Sequence, residues 1–132
     1  MKASIVIANY NNSNFIEECI NSINSQTYKD IEIIFFDDNS KDNSIDIIKK
    51  FTNIKVIQNK IQTKYGSLNQ MNAFKKSVEL STGDIIFFLD SDDYFKKDKI
   101  EKIINFFLEN KKKKIVFDFP IILKENEIFN LK

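Results

Sequence analysis

The stretch Ile85-Ile86-Phe87-Phe88-Leu89-Asp90-Ser91-Asp92-Asp93 decides the fold. Its five apolar residues show no polar alternation, so both faces of the strand are suited to burial, and the run stops abruptly at a cluster of acids. Strands of this kind belong to a parallel sheet covered on each side. Two earlier runs have the same form. Ile5-Val6-Ile7-Ala8 gives way to Asn9-Tyr10-Asn11-Asn12, and Ile31-Glu32-Ile33-Ile34-Phe35-Phe36 gives way to Asp37-Asp38-Asn39-Ser40.

Helix-period segments lie between these runs. Phe15, Ile16, Cys19, Ile20 and Ile23 share one helical face, and Asn14 with Glu17 has the spacing of a capping box. Further helices are expected over 44–51, 68–80 and 98–110, and a strand over 54–58. Gly83 suits the residue just past a helix end. A fifth strand is expected over 115–117 and a terminal hairpin within 118–132, turning at 124–126. Strand and helix alternate throughout, which predicts an α/β fold: an open, mostly parallel sheet with helices on both faces and right-handed crossovers.

The 132 residues correspond to a single domain, 1–132. The absence of His excludes an imidazole base, a Ser-His-Asp triad and any His-ligated zinc. One Cys excludes a disulfide framework, and Cys19 on an apolar helical stripe reads as core. Any bound metal must therefore have oxygen ligands, which points to Mg2+, Mn2+ or Ca2+. Twenty basic residues against nineteen acidic ones leave a net charge of +1, so no global field attracts nucleic acid. Every basic residue is Lys, so phosphate must be met by ammonium groups, backbone amides or a metal. Lys111 to Lys114 read as the solvated end of a helix. No apolar run is long enough to span a bilayer and none resembles a signal peptide, so a cytoplasmic protein is expected.

In open α/β sheets ligands bind beyond the carboxyl ends of the strands. Those ends deliver Asp37, Asp38, Asp90, Asp92 and Asp93 to one edge, where close packing raises carboxylate pKa values unless a cation or donors compensate. A D-x-D at a strand end suits Mg2+ or Mn2+, whose shell is normally completed by substrate phosphates. With two glycines in the chain, and neither a G-x-G-x-x-G nor a P-loop motif, no glycine-rich cradle for phosphate is available. A metal would then bridge a diphosphate, leaving Asp37 and Asp38 to hydrogen-bond a base or ribose.

Ser4 to Asn11, Ser25-Gln26-Thr27-Tyr28, Asp37 to Ser44 and Thr82-Gly83-Asp84 leading to Leu89 through Asp93 together resemble the family 2 glycosyltransferases of GT-A fold, the nucleotide-diphospho-sugar transferase type. The resemblance runs from residue 4 to about residue 100, with the motifs in order. It implies an inverting enzyme that uses a nucleotide-diphosphate sugar, with a UDP-sugar favoured, and Mn2+ or Mg2+, and acts on a glycan or lipid-linked acceptor. On matching positions Ala8 and Tyr10 would line the base pocket and Asp38 would contact base or ribose. Asp90 and Ser91 would sit at the ribose and diphosphate, and Asp92, with Asp90, would hold the metal.

The chain departs from the family pattern in three places. Ala8-Asn9-Tyr10-Asn11 stands where Pro-Thr-Tyr-Asn is common, Met71 stands where many members have Arg, and Gly66-Ser67 only partly matches a Gly-Gln variant. Lys60 or Lys64 is the candidate replacement cation. The family's acceptor pocket and general base lie beyond the fifth strand, whereas this sequence stops at Lys132, and Asp118 is the only late carboxylate near a strand end. The expectation is thus the donor-binding part of a catalytic domain, apparently truncated, acting at the inner face of a membrane if peripheral contact is made. The alternatives are a noncatalytic nucleotide-sugar-binding relative and, lower, a receiver-type signalling domain, which would need an acid pair after the first strand and an Asp after the third.

Overall fold

A computed structural model describes residues 1–116, 121–124 and 127–130. Strand β1 (Ala3–Asn9) leads to α1 (Ile16–Asn24), β2 (Ile31–Asp37), α2 (Ser44–Ile48), β3 (Ile54–Gln58), α3 (Gly66–Glu79), β4 (Ile85–Asp90) and α4 (Lys99–Glu109). The four strands form one all-parallel sheet in the order β3-β2-β1-β4. Strands β5 (Ile121–Lys124) and β6 (Glu127–Asn130) pair antiparallel within the segment expected to form a hairpin, and residues 125–126 of its expected turn lie outside the described residues.

Side-chain alternation along β1 and β2 sends one set of residues to each helix layer. Ala3, Ile5 and Ile7 of β1, Ile33 and Phe35 of β2, and Phe87 and Leu89 of β4 join Ile16, Cys19, Ile20 and Ile23 of α1, Ile48 of α2, and Ile100 and Ile104 of α4 in one buried cluster. On the opposite face α3 covers β1 and β2, and Phe74 packs edge-to-face on Phe88 with ring centroids 4.9 Å apart. The central strands are covered on both faces as expected. At the sheet edge the covering is thinner, and Phe88 remains 53% exposed.

Several local expectations are corrected. The capping box at Asn14 does not form: α1 begins after Phe15, whose position makes no side-chain cap bond. The turn before it is closed instead by the Phe15 N–H donating to the Asn12 carbonyl at 3.0 Å. Helix α2 ends at Ile48, and the chain to Phe51 continues in tighter turns, with Lys50 and Phe51 N–H groups bonded three residues back. No strand forms at Ile115 and Val116, which acquire no ladder partner, while Phe117 and Asp118 lie outside the described residues.

Gly83 does not terminate a helix, since α3 ends at Glu79 with Leu80 as its cap and no glycine has positive φ. Its role is close approach. A Cβ there would lie 2.5 Å from Ser4 Oγ, 2.8 Å from Ser4 N and 2.9 Å from the Lys2 carbonyl. Around it the start of β4 is tied to the start of β1. Ser4 Oγ donates to Glu32 at 2.5 Å and accepts from the Gly83 N–H at 2.9 Å. The Thr82 N–H also donates to Glu32, at 2.6 Å, and Lys2 pairs with the same carboxylate at 3.2 Å. The Thr82-Gly83-Asp84 motif therefore serves sheet assembly, at the end of the strands remote from their carboxyl termini.

Gln26, fully buried, does similar work between α1 and α4. Its Nε2 donates to the Ser22 and Lys96 carbonyls at 3.0 and 2.8 Å, and its Oε1 accepts from the Ile100 N–H at 3.1 Å, supplying the cap that Asp98 does not.

Two outcomes follow for stability. Gly83→Ala should cost about 1–3 kcal/mol in denaturant unfolding, because the atoms in the way are mostly backbone. Burial alone would raise the Glu32 pKa, but hydrogen bonds from Ser4, Thr82 and Lys2 outweigh it and hold the carboxyl at about 2, against an ordinary 4.5. A depressed folded-state pKa stabilises the protein above pH 4.5, and that contribution is lost as pH falls from 4.5 toward 2. Glu32→Gln should lower stability by about 1 kcal/mol at neutral pH. The gap from the parent should close across that acid window, as read from unfolding midpoints at several pH values.

Candidate functional site

The strand order reverses direction at β1, between β2 and β4, and the crevice opens at their carboxyl ends as the topology of open sheets requires. Register fixes what meets there: Asn9 pairs with Asp37 across β1 and β2, and Ala8 with Asp90 across β1 and β4. A cleft of about 490 Å³ occupies this position. Its walls come from Ala8, Asn9, Tyr10 and Asn12 after β1, Asp38 after β2, and Gln62, Thr63 and Lys64 before α3. Gly66, Asn69, Gln70 and Ala73 of α3 and Asp90 and Asp92 after β4 complete it.

Five of the residues expected from sequence, Ala8, Tyr10, Asp38, Asp90 and Asp92, thus share one cleft. Tyr10 is half exposed at its mouth. Asp37 and Ser91 are nearby but do not line it, and both are buried. Asp37, 1% exposed, accepts from Asn9 Nδ2 at 2.8 Å, Ser40 N–H at 3.0 Å and Ser40 Oγ at 2.5 Å. Ser91 Oγ accepts from Asn12 Nδ2 at 3.1 Å, and its N–H donates to the Ala8 carbonyl. Both brace the loop after β1.

That loop is laced to the loop after β2. The Asn11 N–H donates to Ser40 Oγ at 2.9 Å, the Lys41 N–H to Asn11 Oδ1 at 2.8 Å, and the Ser13 N–H to Asp42 at 2.8 Å. Burial would raise the Asp42 pKa, but donors from Ser44 and Ser13 outweigh it and hold it low. Asn11 and Asn39 take left-handed backbone, with φ of 53° and 60°, a conformation asparagine tolerates better than most side chains.

The β2 side of the cleft is built from neutral amides. Asp38, 6% exposed, accepts from Asn59 Nδ2 at 2.7 Å on one oxygen and from Gln62 Nε2 at 3.0 Å on the other. Asn69 fixes the same loop by accepting from Thr63 Oγ1 at 2.7 Å and donating to the Thr63 carbonyl at 3.0 Å. On the β4 side Gln70 Nε2 donates to Asp90 Oδ1 at 2.7 Å. Of the two candidate cations, Lys64 lines the cleft and Lys60 does not.

Acidic charge concentrates beside β4. Loss of hydration and then the charges of Asp92 and Asp90 raise the Asp93 pKa. Burial first, then the same acids with Asp93, pushes the Cys19 thiol up to about 12, which leaves it an inert core residue. Among the described residues no group of three or more acidic, His or Cys side chains closes into a metal cage. Two carboxylates with open positions nevertheless fit Mg2+ or Mn2+, which take one or two protein carboxylates and fill the shell with phosphates and water.

The sequence model of "Glycosyl transferase family 2" matches residues 4–131. The chain belongs to this family. Among curated relatives, the Escherichia coli UDP-Glc:alpha-D-GlcNAc-diphosphoundecaprenol beta-1,3-glucosyltransferase WfaP is 41% identical over 103 residues, 78% of this chain and 40% of that protein. The Bacillus spizizenii poly(ribitol-phosphate) beta-glucosyltransferase is 38% identical over 116 residues, 83% of this chain and 18% of that protein. Among solved structures, S. aureus TarS 1-349 in complex with UDP superposes with a TM-score of 0.72 at 28% identity, over 84% of this chain and 33% of TarS. The family 2 fold thus confirms the expected GT-A architecture, and the chain spans less than half the length of each of these relatives.

Sequence reasoning missed Gln62, Thr63, Asn69 and Gln70 in the cleft wall and Asn59 behind Asp38. Their signal was present as carboxamides at Asn59, Gln62, Asn69 and Gln70 in a short stretch after a strand. Replacing Asn39 by Val should cost about 1–2 kcal/mol, whereas Asn39→Gly should be near neutral, because only the former forces a β-branched residue into left-handed backbone. Thermal melts of the two variants check this.

Proposed function

We propose that this chain is the donor-binding part of a family 2 glycosyltransferase. Its cleft takes a nucleotide-diphosphate sugar, with a UDP-sugar favoured, and Mg2+ or Mn2+, for inverting transfer to a glycan or lipid-linked acceptor. The observation that carries the reading is the assembly of Ala8, Tyr10, Asp38, Asp90 and Asp92 around one cleft at the strand-order reversal. Support for the donor comes from TarS, crystallised with UDP and with UDP-GlcNAc. The diphosphoundecaprenol and poly(ribitol-phosphate) in the relatives' names support an acceptor built on a lipid carrier or a wall polymer.

In this reading the nucleotide lies across β1. Strands are spaced about 4.8 Å apart, so the ends of β2 and β4 stand roughly 10 Å from one another, a span that separates a base from its diphosphate. Asp38 accepts from base or ribose, the Tyr10 ring covers the base, and Ala8 leaves room beside it. Asp37 and Ser91, assigned from sequence to the ligand, act by holding the β1 loop that carries Asn9 and Tyr10. Lys64 and the uncapped first N–H groups of α3 face the diphosphate. Asp90 and Asp92 hold the ion, which when bound supplies Lewis-acid stabilisation of the leaving diphosphate. Among the described residues no helix is long and apolar enough to cross a membrane. Peripheral action at the cytoplasmic membrane face, where lipid-linked acceptors are found, is part of the proposal.

Calorimetric titration with UDP, GDP and dTDP, with and without metal, tests the reading. Metal-dependent binding of at least one is expected, and none binding in a metal-dependent manner would sink it. Asp92→Asn should remove the metal-dependent increment, a loss of tenfold or more in affinity, and leave the melting temperature unchanged because the side chain is exposed.

A further inference from the structure

Among the described residues Asp38 is the one carboxylate lining the β2 end of the cleft, and it is not free to turn. Asn59 Nδ2 occupies one oxygen at 2.7 Å. Gln62 Nε2 reaches the other at 3.0 Å and the Asp38 backbone carbonyl at 2.5 Å, so a single carboxamide grips both ends of the residue. Asn59 itself is fixed by its N–H donating to the Asp37 carbonyl at 2.8 Å and its side chain donating to the Ile61 carbonyl at 2.6 Å. A carboxylate has about four acceptor positions, and here two are filled by donors from one loop. What remains of Asp38 toward the cleft is acceptor only, in one orientation.

From this we infer that Gln62 is a specificity-determining positioning residue, which through Asp38 restricts the donor to nucleotides whose base carries a hydrogen on its ring nitrogen. The inference rests on the donor-site reading above. Uracil, thymine and guanine present such an N–H to a fixed acceptor. Cytosine and adenine present a ring-nitrogen lone pair at the same edge, and acceptor then faces acceptor. A site built around a fixed hydrogen-bonding group discriminates strongly against a ligand that cannot complete the bond. If Asp38 could rotate, it would accept instead from the exocyclic amine of cytosine or adenine, and the discrimination would fade.

The test compares bases of equal size, UDP against CDP and GDP against ADP, by calorimetric titration of the whole chain with Mn2+ present. The parent should favour UDP over CDP, and any GDP binding over ADP, by about tenfold or more. Gln62→Met keeps the length and loses the donor; Gln62→Glu keeps the shape and turns the donor into an acceptor. Both should reduce the ratio within each pair several-fold. Thr63→Val, which loosens the same loop without touching Asp38, should weaken all nucleotides in proportion and leave the ratios intact. Unchanged ratios in both Gln62 variants, or tighter UDP binding on removing the amide, would overturn the inference while leaving the donor site standing. Failure of the parent to bind any of the four nucleotides would overturn both.

Discussion

The arrangement of the cleft depends on one buried carboxylate. Asp37 ends β2 with almost no contact with water, and a charge in that position is tolerated only when donors surround it. The donors come from Asn9, at the end of the neighbouring strand, and from Ser40, three residues on. Satisfying Asp37 therefore fixes two loops at once. Ser40 in turn receives the Asn11 N–H, and the chain between Asn9 and Asn11 carries Tyr10 to the mouth of the cleft. Without Asp37 the two loops would keep the Asn9–Ser40, Asn11 and Asp42 contacts and the Asp38 N–H bond to the Asn9 carbonyl, but would lose the carboxylate that binds Asn9 and Ser40 together.

Much of this was legible in the sequence because parallel strands buried on both faces leave a distinctive trace. The runs at Ile5, Ile31 and Ile85 announced the sheet, and the polar residues after each run announced its binding edge. What failed depended on tertiary context. Ile115 and Val116 have strand propensity, but propensity forms no strand without a partner edge. Gly83 looked like a helix terminator, although the demand for a small residue came from β1, eighty positions earlier in the chain. Asp37 and Asp38 are adjacent and chemically identical, so composition could not reveal that Asp37 is buried against Asn9 and Ser40 while Asp38, also buried, lines the cleft and is held by Asn59 and Gln62.

The chemistry of the cleft reflects what the chain lacks. With no Arg and two glycines, it has neither a planar cation fork nor a flexible phosphate loop. Carboxamides take their place as positioning groups. Asn9 orients Asp37, Asn59 and Gln62 orient Asp38, Gln70 orients Asp90, and Asn69 holds the loop between them. A carboxamide donates and accepts without charge, so it fixes a carboxylate without neutralising it. The acids thereby keep their charge for whatever enters the cleft.

That charge is unevenly distributed, and the unevenness gives the proposed ligand its direction. Beside β4, loss of hydration and then the charges of Asp92 and Asp90 raise the Asp93 pKa, while Gln70 donates to Asp90. At the β2 end Asp38 has both oxygens already engaged by amides. A divalent cation gains most where negative charge is least compensated, which is the β4 end, and a neutral base edge suits a carboxylate already held by two donors. In the proposed function this places the metal and diphosphate at β4 and the base at β2. The order β2-β1-β4, set by the apolar runs of the sequence, would then be the order in which the parts of the proposed nucleotide sugar are read.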